Sequence, residues 1–324
     1  MSVFRPTPGT PLSHSIEDYP DGIVLPIDKP YRWTSADVIR KVKFAAIKHF
    51  RKKNLKVGHA GTLDPLATGV LLVCIGPACK RAQEFQDHDK EYVAGVRFGA
   101  TTPSYDLEKE VDRTFPYDQV TEEAVRAVLP SFLGTQEQIA PLFSAKSVDG
   151  VRAYEMARKM YRKAQAGTPA PDFDAAALET LHRSTITISE IELLDFSFGA
   201  SADAGESEGT GASAHGVGQN LIDLFSGEKI LVRGVTADAP KDSSASSSTA
   251  SSRINVTDTS ALGLPETHIR IACSKGTYIR AFARDLGEAL GTGAHLSSLV
   301  RTKTGDFSLE EALSLEEALA LLAE

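Results

Sequence analysis

The segment GHAGTLDPLATG, residues 58–69, leads directly into the apolar run VLLVCI, residues 70–75, which ends at a Gly-Pro pair. A short apolar run that is rich in β-branched residues and closed by breakers predicts a buried strand. The preceding loop carries one carboxylate, Asp64, and one imidazole, His59, among small turn-forming residues. Pro65 favours an extended backbone at Asp64, which would hold the carboxylate out from the loop. An ordinary turn is the more common origin of such an acid, and a catalytic carboxylate is the alternative.

The composition is that of a globular protein with one large domain or two smaller ones. The 324 residues are 42% hydrophobic, and no apolar run is long enough to span a membrane. The N-terminal segment, MSVFRPTPGTPLSHSIEDYPDG, lacks the basic and apolar regions of a signal peptide. The cysteines are scattered without metal-ligand spacing, so we expect reduced thiols in a cytoplasmic protein and no zinc site. They are Cys74, Cys79 and Cys273.

The net charge of −8 is unevenly distributed along the chain. Residues 201–262 carry eight acids and four bases, and residues 306–324 carry six acids and no base. Residues 40–56, in contrast, contain eight Lys or Arg residues and no acid. Because attraction to phosphate acts over short distances at cellular salt, this basic segment is compatible with RNA binding. A solvated helix face is the alternative explanation of the same charges.

Hydrophobic periodicity and capping signals predict a mixture of strands and helices. The strands are predicted at residues 23–27, 92–98, 184–196 and 267–273. Four helices are predicted. The first begins after Thr34 or Ser35, and the second begins at Thr121 and ends at Pro130. The third covers residues 153–166, and the fourth follows residues 276–280 and extends through Glu288. In the first helix, the apolar positions that we expect to face inward are Val38, Ile39, Val42, Phe44, Ala45 and Ile47. Strands and helices in this irregular order favour the α+β class.

Three regions fall outside this pattern. Residues 1–22 are rich in Pro, Ser and Thr and predict a flexible N-terminal tail. Residues 199–264 contain GASADAGESEGTGASAHGVGQ and KDSSASSSTASS, compositions that cannot bury enough apolar surface to order themselves, and one predicted strand at residues 229–233. Because hairpin-like strands flank it, we interpret this low-complexity segment as an insertion within one domain, residues 23–312. Residues 313–324 predict an acidic helix or tail.

Three groups of residues could carry chemistry. They are Asp64 in its loop, Tyr92 after Asp-Lys-Glu, and the pair Tyr278 and Arg280 in CSKGTYIR. If the last segment is extended, the side chains of Tyr278 and Arg280 share one face. An arginine beside a carboxylate keeps it ionised and oriented for nucleophilic attack, and aromatic rings stack on flat bases. The alternatives are half-buried sheet packing for the tyrosines and a weak surface salt bridge for Arg280.

Four long motifs together resemble the TruB family of tRNA pseudouridine-55 synthases. GHAGTLDPLATGVLLVCIGPACK resembles the family's catalytic loop and its following strand, and DKPYRWTSADVIRKVK resembles the N-terminal Lys-Pro motif. DKEY resembles the segment with the active-site tyrosine, and CSKGTYIRAFARDLGEALGTGAHLSSLVRT resembles the C-terminal catalytic motif. The resemblance extends over residues 22–312 except the insertion. It implies the α+β pseudouridine synthase fold, with a central mixed, largely antiparallel sheet flanked by helices and the active site in a cleft.

The resemblance implies an isomerase that converts uridine 55 in the T-loop of tRNA to pseudouridine, after the base has been flipped out of its stack. It makes Asp64 the catalytic nucleophile and Arg280 its charge partner. The other substrate-binding residues that it implies are His59 against the vacated loop, Tyr92 on the flipped base, Tyr278 and Leu299 as pocket walls, and Lys29. Lys29 with Pro30, and the basic helix behind them, would support the catalytic loop and approach the RNA backbone. It implies no cofactor and no metal. The implied partner is the T-arm stem-loop of tRNA, and we expect a cytoplasmic monomer with no protein partner and no membrane contact.

The chain departs from the family pattern at several positions. Ser147 stands where the family usually has a lysine, and Lys146 precedes it by one position. The family's Thr-x-Thr-x-Asp run is represented by TPSYD, residues 102–106, and Lys109 stands where a glycine often follows. The segment after Arg301 is too short for the small RNA-binding PUA domain that many relatives carry. We therefore expect the catalytic domain to supply the affinity for RNA.

Two other functions are consistent with parts of the sequence. A non-catalytic RNA-binding or RNA-folding factor on the same scaffold would have no use for a nucleophile with its charge partner, so Asp64 and Arg280 argue against it. A phosphate-cradling loop would end in Gly-Lys-Ser/Thr, which residues 58–69 do not contain.

Overall fold

A nine-stranded, mostly antiparallel sheet organises the fold. The structure, a computed structural model, describes residues 3–148, 151–166, 172–199, 221–222, 229–230, 254 and 256–323. The strands of these residues are β1 (Ile23–Lys29), β2 (Val57–His59), β3 (Thr68–Ile75), β4 (Lys90–Phe98), β5 (Ala100–Thr101), β6 (Arg113–Thr114), β7 (Gly134–Gln138), β8 (Ser147–Val148), β9 (Val151–Arg152), β10 (Ser184–Ser197), β11 (Leu221–Ile222), β12 (Lys229–Ile230), β13 (Glu266–Cys273), β14 (Ala294–Thr304) and β15 (Phe307–Ser308). The α-helices are α1 (Ser35–His49), α2 (Ala82–Asp87), α3 (Glu122–Val128), α4 (Ala153–Gln165), α5 (Phe173–Thr180), α6 (Ile279–Ala289) and α7 (Leu315–Leu321).

The strand order of the large sheet is β1-β3-β14-β4-β13-β10-β7, with β2 beside β3 and β15 beside β14. Neighbouring strands are antiparallel except β3 and β14, which run parallel, with Val300 opposite Thr68 and Arg301 opposite Gly69. The pairs β5–β6, β8–β9 and β11–β12 form small separate sheets. The predicted α+β class with a mixed, largely antiparallel sheet is therefore confirmed.

Strand β3 is buried on both faces, which explains its unbroken apolar sequence. Leu71, Val73 and Ile75 join the main core, which α1, α6 and α7 cover. Leu72 and Cys74 join a smaller hydrophobic cluster that contains Phe85 and Phe307. The parallel pairing with β14 puts β3 in the interior of the sheet. The loop that carries Asp64 therefore enters directly from solvent into the rigid centre of the fold.

Helix α1 begins with a capping box. The Thr34 side chain accepts a hydrogen bond from the backbone N–H of Asp37 at 3.1 Å, and the Asp37 carboxylate accepts one from the Thr34 N–H at 3.0 Å. Val42 faces the core, as the sequence predicts, and so does Ala46, which was not among the predicted positions. The prediction for Phe44 is wrong, because its side chain is 76% exposed. It lies two positions from both buried residues, and two steps of about 100° place it on the opposite side of the helix.

The other predicted elements are present with shifted ends. Thr121 caps α3, but the helix ends at Val128 and continues as a 3-10 turn, Leu129–Phe132, in which Pro130 occupies an early position where its missing N–H is tolerated. The short helices α2 and α5 and the strand β7 were not predicted, because none of them is long enough to show a clear period.

The N-terminal segment differs from the flexible tail that its composition predicts. Leu12 and Ile16 are buried in the main core. Phe4 pairs with the sheet, since its N–H donates to the Gly22 carbonyl at 3.1 Å and its carbonyl accepts from Val24 at 3.0 Å. The few apolar side chains of residues 3–22 therefore suffice to hold this segment against the domain.

Strands β10 and β13, which flank the predicted insertion, are antiparallel neighbours with Ser197 opposite Glu266. Most of the insertion lies outside the described residues. Within it, β11 pairs with β12, which includes the start of the strand predicted at residues 229–233. None of the helices in the described part of the chain combines the length and the apolar character needed to cross a membrane.

Candidate active site

Asp64 lies in the loop between β2 and β3, and the start of α1 anchors that loop. The Ser35 hydroxyl donates to the Leu63 carbonyl at 3.1 Å and accepts from the Leu63 N–H at 3.0 Å. After Asp64 the chain turns, with the Ala67 N–H donating to the Asp64 carbonyl at 3.1 Å. Hydrogen bonds that do not involve the Asp64 carboxylate thus hold the backbone on both sides of Asp64.

Arg280, the second residue of α6, holds the Asp64 carboxylate through two hydrogen bonds. Its Nε donates to Oδ2 at 2.8 Å and its Nη2 donates to Oδ1 at 3.1 Å. The guanidinium is only 6% exposed, whereas the Asp64 side chain is 36% exposed. A bidentate pair of this kind fixes the orientation of a carboxylate. Asp64 therefore keeps one open side, towards solvent, while Arg280 determines its direction.

A second carboxylate, Asp106, approaches the same arginine. Its Oδ2 lies 3.8 Å from the Nε of Arg280, and the Nη1 of Arg280 donates to the Ser104 carbonyl at 3.1 Å. The Ser104 hydroxyl and the Glu108 N–H donate to Asp106 Oδ1 at 2.6 and 2.9 Å. Burial raises the pKa of Asp106 to about 6, although Arg280 opposes the shift. Burial lowers the pKa of Arg280, but Asp64 and Asp106 more than offset this, so it stays above its ordinary value.

Asp106 was not predicted as a site residue. The signal was present, because Asp106 closes the TPSYD run, which corresponds to the family's Thr-x-Thr-x-Asp pattern with Ser104 in place of the second threonine. The pattern gave no role to the acid, since its contact with Arg280 joins positions that are far apart in the sequence.

An open cleft enclosing about 280 Å³ lies in front of the Asp64 carboxylate. It is lined by Asp64, Leu66, Ala67, Asp106, Leu107, Arg280, Leu296, Ser297, Ser298 and Leu299. Of the predicted site residues, the cleft therefore brings together Asp64, Arg280 and Leu299, and leaves the carboxylate facing an apolar wall.

The two tyrosines do not line this cleft but lie within electrostatic reach of it. Tyr92, on β4, is 8% exposed and belongs to the main core, and Tyr278 is half-buried at the start of α6. Burial raises the pKa of Tyr92, and the negative charge of Asp64 contributes to the increase. Burial likewise raises the pKa of Tyr278, again with a contribution from Asp64. The charge of Asp64 thus acts on both phenol groups, although neither ring lines the cleft.

The conditional prediction that Tyr278 and Arg280 alternate on one extended segment is wrong. Strand β13 ends at Cys273, and a turn follows in which the Thr277 hydroxyl donates to the Ser274 carbonyl at 2.9 Å. Gly276 has a φ of +80°, a left-handed conformation that ends the strand. Arg280 reaches Asp64 from the first turn of a helix instead.

Lys29 lies beneath the loop that carries Asp64, with no exposed surface. Its Nζ donates to the carbonyls of Pro30, Trp33 and Pro65 at 2.9, 2.6 and 3.2 Å. Burial lowers the pKa of Lys29 to about 7, and the nearby Asp64 opposes this. The ammonium thus ties the residue after Asp64 to the end of β1.

His59 and Arg301 hold the other side of the loop. His59 ends β2 half-buried, and burial lowers its pKa, with the Arg301 charge acting in the same direction. Its Nδ1 has no hydrogen-bond partner among the described residues. Arg301, which was not predicted as a site residue, is buried and donates from Nε to the Val70 carbonyl at 2.7 Å. Within the described ranges of the chain, no group of three or more His, Cys, Asp or Glu side chains could hold a metal ion.

Comparisons with known proteins show which family the chain resembles. Residues 48–203 match the family described as "TruB family pseudouridylate synthase (N terminal domain)", and residues 280–324 match "tRNA pseudouridylate synthase B C-terminal domain". The tRNA pseudouridine synthase B of Phocaeicola vulgatus is 40% identical over 299 residues, 92% of each chain. That of Deinococcus deserti is 34% identical over 91% of this chain and 77% of its own.

A solved structure supports the fold. A chain in the crystal structure of a Cbf5-Nop10-Gar1 complex superposes with a TM-score of 0.51 at 22% identity. The match covers 94% of this chain and 56% of that one, so this chain spans little more than half of that longer protein. With two family matches and relatives that are 40% identical over nearly their whole length, the chain belongs to the TruB family of pseudouridylate synthases, an isomerase family.

Proposed function

We propose that this protein converts uridine 55 in the T-loop of tRNA to pseudouridine, with Asp64 as the nucleophile. The observation that carries the proposal is the partly open Asp64 carboxylate, held by a buried arginine in front of an apolar-walled cleft. The names of the relatives, tRNA pseudouridine synthase B, support tRNA as the substrate. A cytoplasmic location and a monomeric state belong to the same proposal.

The reaction is an isomerisation, so no atom is gained or lost overall. The bond between N1 of uracil and C1′ of the ribose breaks, the base turns, and C5 bonds to C1′. The proton on C5 leaves, and N1 gains one. We assign Asp64 the attack on the nucleotide that begins this exchange, since a fixed, ionised carboxylate is a competent nucleophile. Arg280 keeps it ionised and aligned.

The target base must leave its stack before it can reach the cleft, at a cost of a few kcal/mol. We assign Leu299 to the wall of the cleft. We assign Tyr278 and Tyr92, which do not line the cleft, to surfaces next to it that the flipped uracil contacts. His59, whose Nδ1 has no partner in the described part of the chain, is assigned to the RNA loop from which the base has departed. Lys29 supports the loop through the Pro65 carbonyl.

The test is tritium release from tRNA that carries [5-³H]uridine. We expect the wild-type protein to release tritium from one uridine per tRNA, and a transcript with cytidine at position 55 to release none. Asp64→Asn should abolish release while retaining tRNA binding. If the wild-type protein binds the tRNA but releases no tritium, it is a binding factor and not a synthase. Release from the cytidine-55 transcript would overturn the assignment of the position.

A further inference from the structure

The outer face of α1, formed by Arg40, Lys41, Phe44 and Lys48, combines an exposed aromatic ring with three cations. Phe44 is 76% exposed, the largest exposed fraction among the exposed large hydrophobic side chains of the described residues. Arg40 and Lys48 lie four positions to either side of Phe44 and Lys41 lies three before it, so each of the three cations neighbours Phe44 on the helix surface. All three cations are exposed.

Packing in the core does not account for this face. Val38, Val42 and Ala46, on the other side of α1, fill the main core, and the outer face lies away from it. The nearest acid on the helix, Asp37, is buried and occupied by the helix cap and by Arg40, whose side chain remains 70% exposed. No acid occurs from residue 40 to residue 56. The outer face of α1 is therefore a positively charged surface with the exposed Phe44 ring at its centre.

This surface is fixed relative to the catalytic cleft. The first residue of α1, Ser35, is hydrogen-bonded to Leu63, the neighbour of Asp64. Phe44 lies nine positions further along α1, which at a rise of roughly 1.5 Å per residue is about 14 Å along the helix axis. That distance exceeds one nucleotide and is short compared with a folded RNA. An RNA with one nucleotide in the cleft would carry neighbouring nucleotides at this range.

We propose that the outer face of α1 is a docking surface for tRNA outside the target nucleotide, on which Phe44 stacks against a base and Arg40, Lys41 and Lys48 contact phosphates. The inference rests on the proposed function, which supplies the RNA. Stacking on an aromatic ring within a basic surface is the usual way in which proteins hold unpaired nucleotides. A membrane fits the surface less well, because one exposed ring offers too little apolar area to insert into a bilayer.

The test measures equilibrium binding of the full-length protein to an unmodified tRNA transcript by fluorescence anisotropy across a salt series. Phe44→Ala should weaken binding by about five- to a hundred-fold, the range for removing one stacked ring. Phe44→Leu should bind tRNA as weakly as Phe44→Ala, because leucine keeps the apolar bulk but has no aromatic face. Phe44→Trp should bind with the affinity of the wild type, because it keeps an aromatic ring. Lys41→Ala with Lys48→Ala should reduce the slope of log K against log salt by about 1.4 to 1.8.

Two exposed positions elsewhere provide matched controls. Leu178→Ala removes a side chain that is 58% exposed on α5, and Lys303→Ala removes a cation whose ammonium lies 3.4 Å from Glu91. Both should bind tRNA as the wild type does. Wild-type affinity in Phe44→Ala, or full recovery in Phe44→Leu, would overturn the stacking proposal. Binding to vesicles of mixed phosphatidylcholine and phosphatidylserine that Phe44→Ala abolishes, with tRNA binding unchanged, would assign the surface to membranes.

The binding assay does not depend on turnover, so it separates this proposal from the proposed function. If the wild-type protein forms no pseudouridine, the proposed function fails while the Phe44 comparison can still be read. If pseudouridine forms and Phe44→Ala shows an unchanged KM for tRNA, the docking surface fails while the synthase assignment stands.

Discussion

The Arg280 guanidinium and the Asp64 carboxylate are joined by two hydrogen bonds of 2.8 and 3.1 Å, although their positions are 216 residues apart in the sequence. The arginine is buried and the carboxylate is partly open. The pair thus connects the start of α6 to the loop before β3 and presents the carboxylate to the cleft in one orientation.

Arg280→Lys should remove most of the activity without unfolding the protein. A lysine keeps the charge but cannot donate two fixed, parallel hydrogen bonds to Asp64. We expect the single-turnover rate of tritium release to fall about a hundred-fold, an effect of about 2.7 kcal/mol on the barrier. The far-ultraviolet circular dichroism should be unchanged. A rate within three-fold of the wild type would show that the orientation of Asp64 is not set by Arg280.

The rate should depend on the protonation of Asp106, whose pKa burial raises to about 6. Below that pH the acid is neutral, so the charge of Arg280 is directed at Asp64 alone and makes it a weaker nucleophile. We expect the single-turnover rate to rise about ten-fold as the pH increases through 6. Asp106→Asn, which mimics the neutral acid, should remain at the lower rate at all pH values. An inflection near pH 6 that persists in Asp106→Asn would assign it to another group.

Asp106 should also affect stability. Its pKa is about 6 in the folded state and 3.8 as the reference value, so the folded protein binds an extra proton between these values. The stability of the wild type relative to Asp106→Asn should therefore fall as the pH rises from about 4 to 6. The steepest slope should be about 1.4 kcal/mol per pH unit, the free-energy equivalent of one proton. Urea unfolding at several pH values measures it, and a stability difference that rises with pH would contradict the assignment.

Lys29→Met should test the buried ammonium beneath the loop. The pKa of Lys29 is lowered from 10.5 to about 7, so the unfolded chain binds an extra proton between these values. The stability of the wild type relative to Lys29→Met should therefore rise with pH over this range and be lowest below pH 7. The variant leaves the carbonyls of Pro30, Trp33 and Pro65 without their donor, so we also expect a slower reaction. A pH-independent stability difference would contradict the lowered pKa.

Gly69→Ala should be strongly destabilising. Gly69 has a φ of +96°, and a Cβ added there would lie 2.2 Å from the Arg301 carbonyl oxygen, where β14 runs against β3. Gly134→Ala is a matched control, with a φ of +92° and nothing within 4 Å. The control should lose about 1–2 kcal/mol from backbone strain alone, and Gly69→Ala about 3 kcal/mol or more. Urea denaturation compares them, and equal losses would show that the close approach of Arg301 is unimportant.

The sequence by itself determined five strands of the central sheet, β1, β3, β4, β10 and β13, and the helix that Thr34 caps. It did so because these elements have clear hydrophobic patterns and capping residues that act over a few positions. It also indicated Asp64, Tyr92, Tyr278, Arg280, Leu299 and Lys29 through motifs that resemble a known family, and the same motifs gave the α+β class its specific fold. Phe44 was misjudged because its apolar character was taken to mean that it faces the core, whereas two helical steps from both Val42 and Ala46 place it on the opposite side of α1.

Only the tertiary structure decided which of these residues meet. Strand β13 and the turn at Gly276 bring Arg280, at the start of α6, to Asp64. The same arginine also lies 3.8 Å from Asp106, which belongs to a third segment of the chain. The parallel pairing of β3 with β14 places buried Arg301 against the loop and requires glycine at position 69. Sequence patterns reflect local geometry, whereas these contacts depend on how strands from opposite ends of the chain are ordered in one sheet.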